Sequence, residues 1–407
     1  MQRVLVIEDD VLIANIYCSK FRGEGYQVEV AHDGQAGITL AGKFNPDLVL
    51  LDLVLPKLNG VEVIKQLRAA PQTKAVPILV LSNSYLSNLV QEAWRAGANK
   101  CLSKTDCTPK QVIEVARGLL TRAAPAPAPA PAAPVASPQA APAPPSAAAA
   151  AGSETDDAFQ AELRTTFLDG RTQTMSALRG LLQSVSRSET DGDRLAKLQE
   201  LTRHTRQLAG NAGIVGMVQL SRLASAIEAL LRSLYEKPNT ITPSTLRTLA
   251  QAVDFLGNLF DHGLSSGESD LAATSTLVVD DEIISRRAVT HALDRAGLKS
   301  VAVEDPLVAL QLVTENQFDL IISDVEMPQM NGFELCKRLR TTPRHAQTPV
   351  VFVTTHTDFE SRAKSVVSGG NDMIAKPFLF MELAVKALTH ILRRRLGQGV
   401  AAKAPAP

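Results

Sequence analysis

Two acidic constellations with a single spacing constrain this chain more than any other feature. Glu8, Asp9, Asp52, Ser82 and Lys104 recur as Asp280, Asp281, Asp324, Thr354 and Lys376, and each matched pair lies 272 residues apart. Five chemically matched positions at one offset, with no insertion between them in either copy, mark the duplication of a whole folded unit. The repeated unit is a domain, and its repeated side chains are expected to form a site.

The flanking sequence predicts the architecture that would gather them. VLVI (4–7), DLVLL (47–51) and PILVL (77–81) are short apolar runs that predict buried strands, and the segments near 11–23, 34–43, 59–69, 84–96 and 108–120 carry helical periodicity. TLVV (276–279), DLIIS (319–323) and PVVFV (349–353) repeat the order. Continuous apolar strands alternating with helices imply a parallel sheet covered on both faces. In such sheets a ligand binds off the carboxyl ends of the strands, where all five repeated positions fall.

That placement dictates chemistry. Three converging carboxylates repel one another unless a cation joins them, and an oxygen-only set favours magnesium. A carboxylate held beside that ion can attack a phosphoryl group to give an acyl phosphate, with Asp52 and Asp324 as the nucleophiles. Lys104 and Lys376 supply fixed positive charge, and the Ser82 and Thr354 hydroxyls donate to a phosphoryl oxygen. A single Asp at a strand end is usually only a cap or turn residue. Recurrence of the whole set, in order, argues for a site.

Composition narrows the function classes. Lys+Arg and Asp+Glu both number 42, so no global field recruits nucleic acid or an anionic membrane, and 45% hydrophobic with 21% charged residues suits soluble cores. The apolar runs are strand-length, and MQRVLVIEDD lacks the regions of a signal peptide, so a cytoplasmic chain without membrane insertion is expected. Cys18, Cys101, Cys107 and Cys336 have no metal or redox spacing and read as small buried apolar groups. His32, His262, His291, His345, His356 and His390 have no ligand spacing and are expected at the surface.

The motifs VLVIEDD, DLVLLDLVLPKLNG, PILVLSNS and KCLSK, and in the second copy TLVVDDE, DLIISDVEMPQMNG, PVVFVTTH and MIAKPF, resemble those of receiver domains of two-component response regulators. The resemblance implies that Asp52 and Asp324 are phosphoacceptors and that Glu8-Asp9 and Asp280-Asp281 are the acidic pairs. It also implies that the carbonyls of Val54 and Glu326 complete the magnesium coordination. Two departures stand out in the first copy. Lys104-Thr105 replaces the family's lysine-proline, kept as Lys376-Pro377 in the second, and a cis bond before a non-proline residue costs ~3 kcal/mol, so a rearranged lysine loop is expected. Asn83 replaces the usual small residue after the hydroxyl. In both copies the aromatic switch position is lost, to Cys101 and to Met373.

The middle of the chain is helical by pattern, with amphipathic segments from DAFQAELRTTF to VDFLGNLF. TRHTRQLAGNAGIVG resembles histidine phosphotransfer domains, whose pattern is His-x-x-Lys-Gly-x-x-Gly-x-x-Gly. Matching Gly210, Gly213 and Gly216 to the three glycines places Arg206 at the histidine and Ala209 at the lysine, so the acceptor is lost. His204 lies two residues upstream, about 200° around the helix at 100° per residue, and is turned away from the acceptor position. The glycines would let a receiver surface approach closely, and Arg206 would meet its acidic site as a permanent cation.

The resulting map is receiver 1 at 1–122, an Ala/Pro-rich spacer at 123–152, a phosphotransfer-like bundle at 153–263, a linker at 264–273, receiver 2 at 274–397 and a disordered tail at 398–407. The fold class is α/β plus all-α, two doubly wound (βα)5 flavodoxin-like receivers separated by a helical bundle. The expected function is bacterial two-component signalling, with phosphate taken from histidine kinases or other phosphodonors. Output would pass through contact with downstream signalling proteins, as an adaptor or phosphate sink rather than an enzyme. A phosphorelay intermediate is the alternative. An aspartate-based phosphatase is a third, disfavoured because such enzymes place a second Asp two residues after the nucleophile, where this chain has Val54 and Glu326.

Overall fold

The computed structural model describes residues 1–82, 87–104, 107–123, 161, 163–262, 274–355 and 359–403. They fall into two compact units, Met1–Gly170 with Gly213–Gly216 and Arg171–Ala212 with Met217–Pro407. The spacer beyond Ala123, the linker of 264–273, Asn83, Ser84, Thr105 and His356 lie outside the described residues.

In the first unit the chain runs β1 (Arg3–Ile7), α1 (Val11–Gly23), β2 (Gln27–Ala31), α2 (Gly34–Phe44), β3 (Leu48–Asp52), α3 (Gly60–Ala69), β4 (Ile78–Ser82), α4 (Ser87–Ala96), β5 (Lys100–Ser103) and α5 (Pro109–Ala123). The strands form one parallel sheet in the order β2-β1-β3-β4-β5. The period of two sorts its core onto two faces. Val4, Val6, Leu48, Leu50, Leu79 and Leu81 pack with Ile16, Phe21, Val112 and Ala116 of α1 and α5. Their neighbours Leu5, Ile7, Val49, Leu51, Ile78 and Val80 pack with Ala41, Ile64, Leu67 and Ala93 of α2, α3 and α4. Burying each such Leu or Ile is worth about 1.5–3 kcal/mol. Apolar runs reveal only the three central strands, because edge strands such as QVEVA and KCLS leave half or more of their residues partly exposed.

The second unit begins with the bundle helices α6 (Arg171–Arg187), α7 (Asp191–Ile214), α8 (Val218–Glu236) and α9 (Pro243–His262). Met175, Leu178, Leu182 and Val185 put the buried stripe of α6 at helical spacing. A second sheet follows through β6 (Ser275–Val279), α10 (Ile283–Arg295), β7 (Lys299–Val303), α11 (Pro306–Glu315), β8 (Leu320–Asp324), α12 (Gly332–Thr341), β9 (Val350–Thr354), α13 (Phe359–Val367), β10 (Asp372–Ala375) and α14 (Phe380–Lys403). Its order, β10-β9-β8-β6-β7, repeats that of the first.

Helix α14 is the seam of this unit. It packs on α10 of its own sheet domain and on α8 and α9 of the bundle. Leu383, Ala384, Val385, Leu388, Ile391 and Leu392 are consequently at most 1% exposed. In its first turn Glu382, 3% exposed, accepts hydrogen bonds from Ser244 Oγ at 2.7 Å and Thr248 Oγ1 at 3.1 Å, both on α9.

Two expectations are corrected here. The tail expected to be disordered from 398 is helical as far as Lys403, where α14 ends, although Gly397 and Gly399 are poor helix formers. Arg393, Arg394 and Arg395 lie within this helix. Arg393 stacks over the Phe255 ring at 5.3 Å, and Arg394 donates to the Phe318 carbonyl at 2.7 Å. His345 and His390 are not at the surface: His345 is fully enclosed, and His390 is buried against Asp372, 3.2 Å away.

Candidate functional site

The carboxyl ends of the strands bring the repeated residues together in both sheets. Asp52 closes β3 and Asp324 closes β8, while Ser82 closes β4 and Thr354 closes β9. Each lysine is carried to them by a backbone bond. Lys104 donates its N–H to the Ser82 carbonyl at 2.8 Å, and Lys376 does the same to Thr354 at 2.8 Å. Lys104 Nζ then reaches Asp52 Oδ2 at 2.8 Å, and Lys376 Nζ reaches Asp324 Oδ2 at 2.7 Å. The other oxygen of each aspartate faces backbone amides. Val54 N–H lies 3.2 Å from Asp52 Oδ1, and Val325 and Glu326 N–H lie 2.7 and 3.4 Å from Asp324 Oδ1.

Glycine sets the backs of both sites. A Cβ on Gly60 would sit 2.3 Å from the Asp52 carbonyl oxygen, and one on Gly332 would sit 2.1 Å from that of Asp324. Only glycine lets α3 and α12 start against the backbone of Asp52 and Asp324. The preceding Asn59 and Asn331 cap these helices through their side chains. The sequence signal for this support is the Asn-Gly of LPKLNG and MPQMNG.

Carboxylate oxygens of Glu8, Asp9 and Asp52 lie within 4.8 Å of one another, as do those of Asp280, Asp281 and Asp324. An oxygen-only triad of this size fits a hard divalent cation such as magnesium. The two sites are nonetheless unequal. Glu8 gives both oxygens to Lys104, at 3.0 and 2.8 Å, with both side chains buried. Asp280 instead accepts from Ser285 Oγ at 2.5 Å and from Glu282 N–H at 2.9 Å, and its contact with Lys376 is a single one of 3.2 Å. Ser285 carries no signal in the sequence, because its counterpart Ile13 belongs to the apolar core.

The electrostatics follow from burial and proximity. Burial pushes the Glu8 carboxyl up to about 8, against the pull of the Lys104 ammonium. Burial works against the Lys104 charge, yet Asp52 and Glu8 outweigh it and raise its pKa. In the second site burial raises Asp324, opposed by Lys376. Burial likewise disfavours the Lys376 charge, but Asp324 and Asp280 outweigh it. The Lys376-Pro377 bond is cis; Thr105 lies outside the described residues, yet Lys104 reaches Asp52 as Lys376 reaches Asp324.

In the bundle the position aligned with a phosphotransfer histidine is filled from within. Arg206 donates from Nε to Glu228 Oε1 at 2.8 Å, and Glu228 is 2% exposed. This corrects the expectation of a cation reserved for an incoming acidic site: Arg206 neutralises a buried carboxylate of α8. His204 Nδ1 donates to the Glu200 carbonyl at 3.0 Å. Ala209 is fully buried, and its carbonyl accepts from Ser221 Oγ at 2.6 Å. Gly216, with φ +75°, ends α7 through a bond from its N–H to the Gly213 carbonyl.

Comparison with known proteins matches both sheet domains and the bundle to known families. A family model described as response regulator receiver domain matches residues 4–117 and 276–388, and one described as Hpt domain matches 162–258. The DNA-binding response regulator MtrA of Mycobacterium tuberculosis (strain ATCC 25618 / H37Rv) is 36% identical over 121 residues, 30% of this chain and 51% of that protein. The DNA-binding dual master transcriptional regulator RpaA of Synechocystis sp. is 35% identical over 123 residues, 30% of this chain and 50% of that protein. The chain thus spans about half the length of these curated relatives. Among solved structures, chemotaxis response regulator CheY4 of Vibrio cholerae is 36% identical and covers 29% of this chain and 98% of its own, with a TM-score of 0.28.

Proposed function

The chain belongs to the response regulator receiver family, a component of two-component phosphorelay signalling, and from that premise we propose that both of its receivers accept phosphate, on Asp52 and on Asp324. The observation that carries the reading is the lysine ammonium held 2.8 and 2.7 Å from the nucleophilic carboxylate, once in each acidic cluster. A carboxylate oxygen attacks the phosphorus of a phosphohistidine on a partner kinase. The O–P bond forms as the P–N bond breaks, and the imidazole leaves with the electron pair and takes a proton from solvent. Lys104 or Lys376 follows the charge from the carboxylate to the new phosphoryl oxygens, and the hydroxyl of Ser82 or Thr354 donates to one of them. Magnesium bound by Glu8, Asp9 and Asp52, or by Asp280, Asp281 and Asp324, would neutralise the remaining equatorial oxygens.

The bundle supports an adaptor or phosphate sink, with output through protein contact and no enzymatic turnover of its own. Arg206 is not a nucleophile, and its charge is engaged by Glu228. A relay through the bundle is the second reading, favoured by the Hpt match and by the Nδ1–H of His204 on the Glu200 carbonyl, which would leave Nε2 to receive phosphate. The test is acetyl phosphate or kinase labelling of the full chain with magnesium, in the wild type, Asp52→Asn, Asp324→Asn and the double variant. Each single variant should lose one phosphate, and the double variant should take none. Label of unchanged amount in the double variant would refute the assignment.

A further inference from the structure

We infer that the two receiver sites hold magnesium with different affinities, and that Ser285 is the positioning residue that makes the second site the tighter one. The inference rests on the proposed reading of both sites as magnesium-dependent phosphoacceptors and adds an order between them. The duplication supplies the comparison. Glu8 corresponds to Asp280 and Ile13 to Ser285, each pair at the offset of 272 residues that relates the two sites.

In the second site neutral donors aim Asp280. Ser285 Oγ holds one oxygen at 2.5 Å and Glu282 N–H the other at 2.9 Å. Each carboxylate oxygen has two acceptor directions, so Oδ1, bonded to the Glu282 amide, keeps one for a cation, while Ser285 and the long Lys376 contact share Oδ2. Lys376 places its short contact, 2.7 Å, on Asp324 and only a long one, 3.2 Å, on Asp280.

In the first site these partners are exchanged. Ile13, 3% exposed in the core, offers no hydroxyl. The extra methylene of Glu8 carries its carboxylate onto Lys104, which it meets with both oxygens at 3.0 and 2.8 Å. A divalent ion approaching Glu8 must displace an ammonium or sit beside one, and the pair is buried, where water screens that repulsion least. Lys104 must also break two contacts with Glu8, where Lys376 breaks one with Asp280, before it can turn fully to a phosphoryl group. Outer-shell partners of this kind typically change metal affinity 10–100-fold.

The experiment measures magnesium binding calorimetrically on the full chain with one site disabled at a time. Asp281→Asn/Asp324→Asn keeps the first site, and Asp9→Asn/Asp52→Asn keeps the second. The first site should half-saturate at about tenfold higher magnesium than the second. In the second-site background, Ser285→Ala should weaken binding by about tenfold and Ser285→Thr should restore most of it. In the first-site background Glu8→Asp, which leaves the core untouched, should tighten binding. Equal affinities, or a second site indifferent to Ser285→Ala, would overturn the inference while leaving the phosphoacceptor assignment standing. Absence of magnesium binding at both sites would overturn the assignment as well.

Discussion

Arg206 and Glu228 form an ion pair of 2.8 Å between α7 and α8, with the Glu228 side chain only 2% exposed. The arginine at the acceptor position therefore does structural work, compensating a buried acid across the helical hairpin. Removing one partner of such a pair strands the other charge, whereas replacing both with apolar groups of similar size is often neutral. Arg206→Ala should destabilise the bundle by about 3 kcal/mol. Arg206→Met combined with Glu228→Leu should recover most of that loss. Urea unfolding followed by circular dichroism distinguishes the two, and equal stability of Arg206→Ala and wild type would contradict the pairing.

The seam around α14 yields a second prediction. Glu382 is buried and takes its side-chain hydrogen bonds from Ser244 and Thr248 of α9. Hydrogen bonds to a charged group are worth about 1.5–3 kcal/mol each. Ser244→Ala/Thr248→Val should open the α9–α14 contact and speed amide exchange in both helices. Adding Glu382→Leu should slow that exchange again, because no carboxylate is then left without donors. Unaltered exchange in the double variant would show that packing alone holds the seam.

His345 should impose a pH dependence on stability. Its Nε2–H donates to the Asn316 carbonyl at 3.0 Å, and its Nδ1 lies 3.0 Å from the Thr348 hydroxyl. Burial, aided by the Arg394 and Arg344 charges, holds its pKa below the ordinary 6.5. Because the folded value is depressed, the contribution is fully present above about pH 6.5. Below that the unfolded chain binds a proton that the folded chain does not, and stability falls by up to about 1.4 kcal/mol per pH unit until the folded ring also titrates. His345→Asn should flatten denaturation midpoints between about pH 5 and 7. An undiminished slope in that variant would place the dependence elsewhere.

The parts legible in the sequence were those written as local pattern or constant spacing. The three central strands of each sheet are continuous apolar runs, and the acidic clusters declared themselves through duplication. What stayed hidden depends on partners distant along the chain. Glu228 looks like any helical surface acid until α7 brings Arg206 to it, and Glu382 until α9 brings two hydroxyls. Ser285 has no repeat partner to flag it, since Ile13 stands in its place. His345 and His390 looked like scattered surface residues because the groups that enclose them are distant along the chain, Asn316 and Phe318 for His345 and Asp372 for His390. The edge strands were obscured by their own exposure.

The bundle's chemistry gives the last prediction. A phosphotransfer acceptor needs an exposed imidazole on the receiver-facing side of its helix. Here that position carries Arg206, and Ala209, where the motif has its lysine, is fully buried with its carbonyl held by Ser221. His204 lies about 200° from Arg206 around α7, too far to substitute without a change of register. Because α8 and α9 pack on α14, the bundle should be tested within the full chain. The Asp52→Asn/Asp324→Asn variant, incubated with a separately phosphorylated receiver bearing radiolabel, leaves the bundle as the only candidate acceptor. It should remain unlabelled. Label that survives alkali, is lost in acid and disappears with His204→Ala would instead identify a phosphohistidine, and would convert the adaptor into a relay.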